Sequence, residues 1–290
     1  MKRLSLSVAA VCALFLIIAF QGSAAGPANV VCSQQTNSFT GLAHNLIIPA
    51  NGYCQIDSAT ITNDVIVEHD AGADVSNSTI QDDMIMQLHA GGSLATSTVG
   101  HDVRVGFGGG FNMALATIVH DLVASQSDVV GTGGIGPPPA PAGPSTVGHD
   151  FVINGSPGRP DTSNFIFNGI CDLTVGNDLK ITNRWVTLGF SIGDEEACGT
   201  NAPVSVGHDL VVTNDSALSG FFGPSSLDVG NNTVGHDLIF VGNTAVTGGN
   251  LEVSDNNVGN DAVCARNNPA PSADDPGDGP NVAGGTNTCG

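Results

Sequence analysis

From residue 42 onward the chain alternates short apolar bursts with polar, glycine-rich breaks, and the bursts return at a fixed interval. LAHNLIIPANGYCQIDSAT (42–60), ITNDVIVEHDAGADVSNST (61–79), IQDDMIMQLHAGGSLATST (80–98) and VGHDVRVGFGGGFNMALAT (99–117) align without a gap at a period of 19 residues, and a further copy opens at Ile118. Three apolar columns result: Leu42, Ile61, Ile80, Val99 and Ile118 at the first position, Leu46, Val65, Met84, Val103 and Leu122 at the fifth, and Ile56, Val75, Leu94 and Met113 at the fifteenth. Within a copy the spacing is period two, as in Val65-Ile66-Val67, and Gly, Asn, Asp and Ser bound each run. That predicts strand and turn, because a helical unit would repeat its apolar residues at three and four positions. So short a unit buries its apolar face only by stacking on its neighbours. Copies running in one direction pair through parallel ladders roughly 4.8 Å apart. The expected fold is all-β, a single parallel β-solenoid.

The same signature returns after the regular block, in STVGHDFVI (145–153), LTVGNDLKI (173–181), VSVGHDLVV (204–212), NTVGHDLIF (232–240) and NNVGNDAVC (256–264). Its Asp falls at 64, 83, 102, 121, 150, 178, 209, 237 and 261, so the spacing is 19 three times and then 29, 28, 31, 28 and 24. The extra residues are rich in Gly and Pro, as in GTGGIGPPPAPAGP (131–144), and are expected to be loops bulging from one corner of otherwise constant coils. With Asn45 as the first member, ten signatures imply about ten coils, short ones first and loop-bearing ones after, in a rod on the order of 45 Å long. The expected boundaries are an N-terminal cap at 26–41, the solenoid at 42–266, and a flexible Pro/Gly/Asn-rich tail without regular structure at 267–290.

The first 25 residues read as a secretory signal peptide: Lys2 and Arg3, an apolar run from Val8 to Phe20, then Ser23 and Ala25 at the small-residue positions of a cleavage site. No later apolar stretch is long enough for a membrane span, so the mature chain is expected to be secreted. The whole sequence carries 27 acidic and seven basic residues, a formal net charge of −20. Such a surface repels nucleic acid and anionic lipid and attracts cations. High charge alone would suggest disorder, but 41% apolar residues place the chain with folded proteins. Six cysteines lie beyond the leader, an even number suited to an oxidising compartment. Nearly equal positions on neighbouring coils pair Cys32 with Cys54 and Cys171 with Cys198, leaving Cys264 to tether Cys289 in the tail.

Six of the eight histidines, His44, His101, His120, His149, His208 and His236, occupy the third position of a copy, where Asn63, Asp82, Asn177 and Asn260 stand in the others. One reading is a turn, since His, Asn and Asp tolerate left-handed or bridge conformations and bond locally to backbone. The other is a metal ladder. Carboxylates about 4.8 Å apart repel by roughly 1 kcal/mol in water-like surroundings and need compensation, from turn N–H groups or from a cation. The candidate ligands are His101, Asp102, His120, Asp121, His149 and Asp150, for calcium or another divalent cation, with a transition metal favoured where imidazoles converge. A threonine column, Thr60, Thr79, Thr98 and Thr117, stands two residues after Ser58, Asn77, Thr96 and Leu115, so one copy matches the Thr-x-Thr of ice-binding solenoids in full.

In signature and coil length the chain resembles secreted right-handed parallel β-helix repeat proteins over about 42–266, and its short coils are similar to those of bactofilin-like polymerising solenoids. The resemblance implies architecture and transfers no functional residue. Two functions follow as expectations. The first is a non-catalytic structural or adhesive protein presenting loops to a cell-surface, matrix or protein partner. The second is an extracellular carbohydrate-active enzyme or binder, a polysaccharide lyase or hydrolase of the β-helix kind, for which Asp172, Arg184 and Asp194 of the loop-bearing coils are the residues to test.

Overall fold

A computed structural model describes residues 26–32, 37–125, 129–132, 144–155, 169–187, 189–193, 198, 203–220, 223–272 and 278–289. Alternating burial within each short run turns one set of side chains inward and sets three strands per coil, which stack as three faces. Face A holds eleven strands in strict chain order, from Val30–Val31 and Leu46–Ile48 through Val65–Val67, Met84–Met86 and Val103–Val105 to Ala262–Ala265. Every neighbouring pair is parallel, with Val65 against Met84 and Met84 against Val103. Face B carries Gly72–Ser76, Gly91–Ala95 and Gly110–Ala114 and continues to Leu251–Ser254, while face C carries Thr79–Ile80, Thr98–Val99 and Thr117–Ile118 and continues to Val282–Ala283. Tyr53–Ile61 spans faces B and C in one strand. The fold is thus a single parallel β-solenoid. At about 4.8 Å per rung its eleven-stranded face is roughly 50 Å long.

The columns of fifth and fifteenth positions are buried without exception, from Leu46 to Leu122 and from Ile56 to Met113. The first-position column needs one correction. Leu42 is 58% exposed and Ala43 fills its core place, because Ala43 pairs with Ile61 and Leu42 with Thr60. The first copy is one residue short at the next corner, so counting back from Ile61 lands one position early.

The placement of the insertions also differs from expectation. Between faces A and B lie the extra residues at 183–189, 214–226 and 242–250, which add a small parallel sheet of Trp185–Val186, Ser216–Ala217 and Thr244–Ala245. Between faces B and C lie those separating Val129–Thr132 from Ser145–Val147 and Phe190–Ile192 from Val204–Val206. Two corners are therefore elaborated, and both turn through left-handed residues. Ser58, Asn77, Thr96 and Leu115 have φ of 51, 48, 47 and 53° at the B-to-C corner, and Asn51, Asp70, His89 and Gly108 stand at the A-to-B corner. The Thr-x-Thr pattern is broken by this geometry, since every residue of its first column has left-handed φ.

At the ends the stack runs past the expected boundaries. Val30–Val31 already pairs with Leu46 and Ile47. In the tail, Val282 and Ala283 pair with Asn257 and Val258, and Gly285 N–H donates to Asn260 O at 2.7 Å. Residues 278–289 thus continue the stack where irregular chain was expected, because Cys289 is bonded to Cys264 and the open N–H and C=O groups of the last rung find partners in them. The three expected disulfides, Cys32–Cys54, Cys171–Cys198 and Cys264–Cys289, all form, with Cα separations of 6.0, 5.4 and 4.8 Å. Three such bonds fit an oxidising environment. The leader at 1–25 lies outside the described residues, and among those described no helix is long and apolar enough to cross a membrane.

Candidate functional site

The third corner, from face C to face A, carries the Gly-His-Asp signature and has no insertion in any rung. Glycine is needed there for approach between coils: a Cβ on Gly176, Gly207 or Gly235 would lie 2.0–2.1 Å from the carbonyl oxygen of the glycine one rung earlier. None of its His, Asn or Asp residues has positive φ, so of the two expected conformations this corner does not use the left-handed one. Another device holds it.

That device is a ladder of aspartates. Asp83 Oδ1 accepts the backbone N–H of Asp102 at 3.0 Å, Asp102 Oδ1 that of Asp121 at 3.1 Å, and Asp121 Oδ1 that of Asp150 at 3.0 Å. The bond repeats through Asp178, Asp209 and Asp237 to Asp261, which accepts from Thr286. Each of these oxygens except that of Asp261 takes a second hydrogen bond from the third-position side chain of the next rung. His101 Nδ1 is 2.8 Å from Asp83, His120 Nδ1 2.8 Å from Asp102, His149 Nδ1 2.8 Å from Asp121, His208 Nδ1 2.9 Å from Asp178, and His236 Nδ1 3.1 Å from Asp209. Asn177 and Asn260 supply the same bond through Nδ2 to Asp150 and Asp237, at 2.6 and 2.8 Å. A carboxylate only accepts, so Nδ1 must carry the proton. The slot asks for an N–H donor, which is why His and Asn exchange there. Asp82 cannot donate, and in its rung Asp64 Oδ1 keeps only the Asp83 N–H.

Charge is balanced on the same edge. Arg104 and Lys180, two residues past Asp102 and Asp178 on the same strand face, reach back to their Oδ2 atoms at 2.8 and 2.6 Å. Burial works against ionisation of Asp102, yet hydrogen bonds from Arg104, His120 and the Asp121 N–H hold its carboxyl at about 2. Asp178 is lowered despite burial by Lys180, the Asp209 N–H and His208, and Asp237 is lowered chiefly by the Asp261 N–H. The reciprocal effect raises His101 through its bond to Asp83, His149 through Asp121 and His208 through Asp178.

The imidazoles stack in two runs. His101 and His120 have ring centroids 5.0 Å apart at 3°, His120 and His149 5.1 Å at 7°, and His208 and His236 4.8 Å at 2°. Asn177 and Asn260 end the runs. The candidate ligands His101, Asp102, His120, Asp121, His149 and Asp150 therefore all lie on one edge. Ligand atoms of His101, Asp102 and His120 are within 4.8 Å of one another, as are those of His120, Asp121 and His149. Asp150 stands one rung further on, accepting from Asn177 and the Asp178 N–H.

Of the enzyme-type candidates, Arg184 and Asp172 stand at different corners. Arg184 is 1% exposed, its guanidinium 4.3 Å above the Phe190 ring and its backbone N–H donating to Asp215 Oδ1. Asp172 is a left-handed corner residue whose carboxyl is raised by burial, and Asp194 lies outside the described residues. Two buried polar ladders had no counterpart in the sequence reading. Asn232, Asn256 and Asn281 chain through Nδ2-to-Oδ1 bonds of 2.8 Å, and Asp215 accepts the Arg184 N–H at 2.6 Å while Asn243 and Asn267 accept the N–H groups of Asp215 and Asn243 at 2.9 Å. Comparison with known proteins finds no matching family model, no matching characterised protein and no matching solved structure.

Proposed function

We propose that the protein is a secreted, non-catalytic structural or adhesive surface protein, a stiff acidic rod that presents the loops of two edges to a cell-surface, matrix or protein partner. The observation that carries this reading is the division between corners. Insertions fall only at the two left-handed corners and only from the rung of Val129–Thr132 onward, while the His/Asp corner keeps one length from Ile61 on. Variable loops on a regular scaffold are where binding residues concentrate. The repeated carboxylates, the most abundant groups available for acid or base chemistry, are committed to N–H donors of the next rung.

Buried Arg184, stacked on Phe190, further favours this reading over a polysaccharide lyase or hydrolase, whose catalytic Arg has to reach substrate. The test offers the purified protein a panel of neutral and acidic polysaccharides and follows reducing ends and unsaturated products. No turnover is expected. Reproducible turnover abolished by Asp172→Asn or Asp194→Asn, with the melting transition intact, would replace the structural assignment with the enzymatic one. Adhesion is measured in parallel as retention on intact cells and on purified matrix polymers, and is expected to fall when 214–226 is shortened to the regular corner.

A further inference from the structure

The His/Asp edge offers donors that its own hydrogen bonds leave unused. In His101, His120, His149, His208 and His236 the proton sits on Nδ1, held by an aspartate of the preceding rung, so the ring lone pair lies on Nε2. Within the described structure nothing bonds these Nε2 atoms, and the side chains are 46–50% exposed. A carboxylate behind one ring nitrogen is also what orients metal-ligating histidines and raises the basicity of the other nitrogen. Here that arrangement is repeated in register along a solvent-facing edge.

We propose that this edge binds transition-metal dications of the zinc type between neighbouring rungs, one through His120 Nε2 with the Nε2 of His101 or His149, and a second between His208 and His236. Parallel rings 5.0 Å apart place their Nε2 atoms about as far apart, whereas two nitrogens on one tetrahedral zinc are about 3.4 Å apart. The rings close this gap by tilting toward each other, each moving its Nε2 by a little under 1 Å, which half-exposed side chains on a rigid backbone can do. Water completes the coordination. Calcium is disfavoured because the aspartate oxygens of the edge already accept N–H bonds, and Arg104 and Lys180 cover the outer oxygens of Asp102 and Asp178. The unused donors are imidazole nitrogens, which suit zinc, copper or nickel.

The test titrates zinc chloride, and separately calcium chloride, into chelator-treated full-length protein by calorimetry. The variants are His120→Asn, His208→Asn and the double variant. Asparagine fills this slot at Asn177 and Asn260 and keeps the bond to the preceding aspartate, so in alkaline buffer metal-free melting temperatures are expected to match the parent. Each single variant should remove one of two zinc ions, and the double variant should weaken binding at least tenfold. Copper(II) bound to the parent protein should show hyperfine coupling to two imidazole nitrogens, a readout that needs no variant to fold. Zinc affinity unchanged in the double variant, calcium heat equal to that of zinc, or a copper spectrum without paired nitrogen coupling would each overturn the proposal.

Discussion

At Asp102 one carboxylate closes three bonds. Oδ1 takes the Asp121 N–H and His120 Nδ1–H, and Oδ2 takes Arg104. An amide oxygen can replace Oδ1, as Asn45 already does toward Asn63 Nδ2 and the Asp64 N–H. Asp102→Asn should therefore keep the ladder and lose chiefly the ion pair with half-exposed Arg104, under about 1 kcal/mol. Asp102→Ala strands two donors and should cost about 2 kcal/mol or more. Urea denaturation of the two variants checks this, and equal losses would mean that the hydrogen bonds are not what matters. The sequence displayed the ladder's logic without stating it. A slot that accepts His and Asn beside a near-constant Asp is a slot for an N–H donor, and Asp-x-Arg at 102–104 and Asp-x-Lys at 178–180 place the cation on the carboxylate's own face. The buried asparagine ladders were not legible, because their members are separated by 24, 25 or 28 residues and no fixed period aligns them.

At the scale of the strand, period two decided which residues turn inward, and a gapless repeat decided that the pairs are parallel and in register. A period cannot say where within a coil residues are added, so insertions at two corners read as insertions at one. Nor can it see a deleted residue, so Leu42 took the place of Ala43. Val99 shows how strongly the inward choice binds. It is buried between Ile80 and Ile118 in the face C ladder. Val99→Asp would put a carboxylate there with no donor in the surrounding apolar column, a cost of several kcal/mol. A stack stabilised by neighbour contacts transmits that loss to the adjoining rungs first. Hydrogen exchange should therefore show lost protection at 80–86 and 118–125, with less change beyond Leu238. Protection lost uniformly along the rod would mean that the coils unfold as one unit.

Over the whole molecule the charge of −20 and the edge ladder together set a pH optimum. Asp102, Asp178 and Asp237 titrate below their ordinary value of 3.8 in the folded chain, so their stabilisation is complete above that pH and disappears as pH falls through the lowered value. His101, His149 and His208 are raised above 6.5, so theirs is complete below 6.5 and disappears as pH rises through the raised value. Glu252 adds to the alkaline loss. Burial, the hydrogen bond to Asp278 and the charge of Asp228, its partner in the preceding rung, raise its carboxyl from 4.5 to about 8 although Ser254 opposes them. Folding therefore favours its protonated form, and that contribution fades from about pH 4.5 to 8. Deprotonation of the histidines also increases the net negative charge and its self-repulsion. Thermal melting at constant ionic strength should give a maximum between about pH 4 and 6.5 and a fall on either side. Glu252→Gln should leave the value at pH 5 almost unchanged and flatten the fall toward pH 8, since it keeps the side-chain oxygen that accepts from Ser254 and removes the buried charge. A melting temperature that still climbs between pH 6.5 and 8.5 would mean that neither the edge histidines nor Glu252 bear on stability.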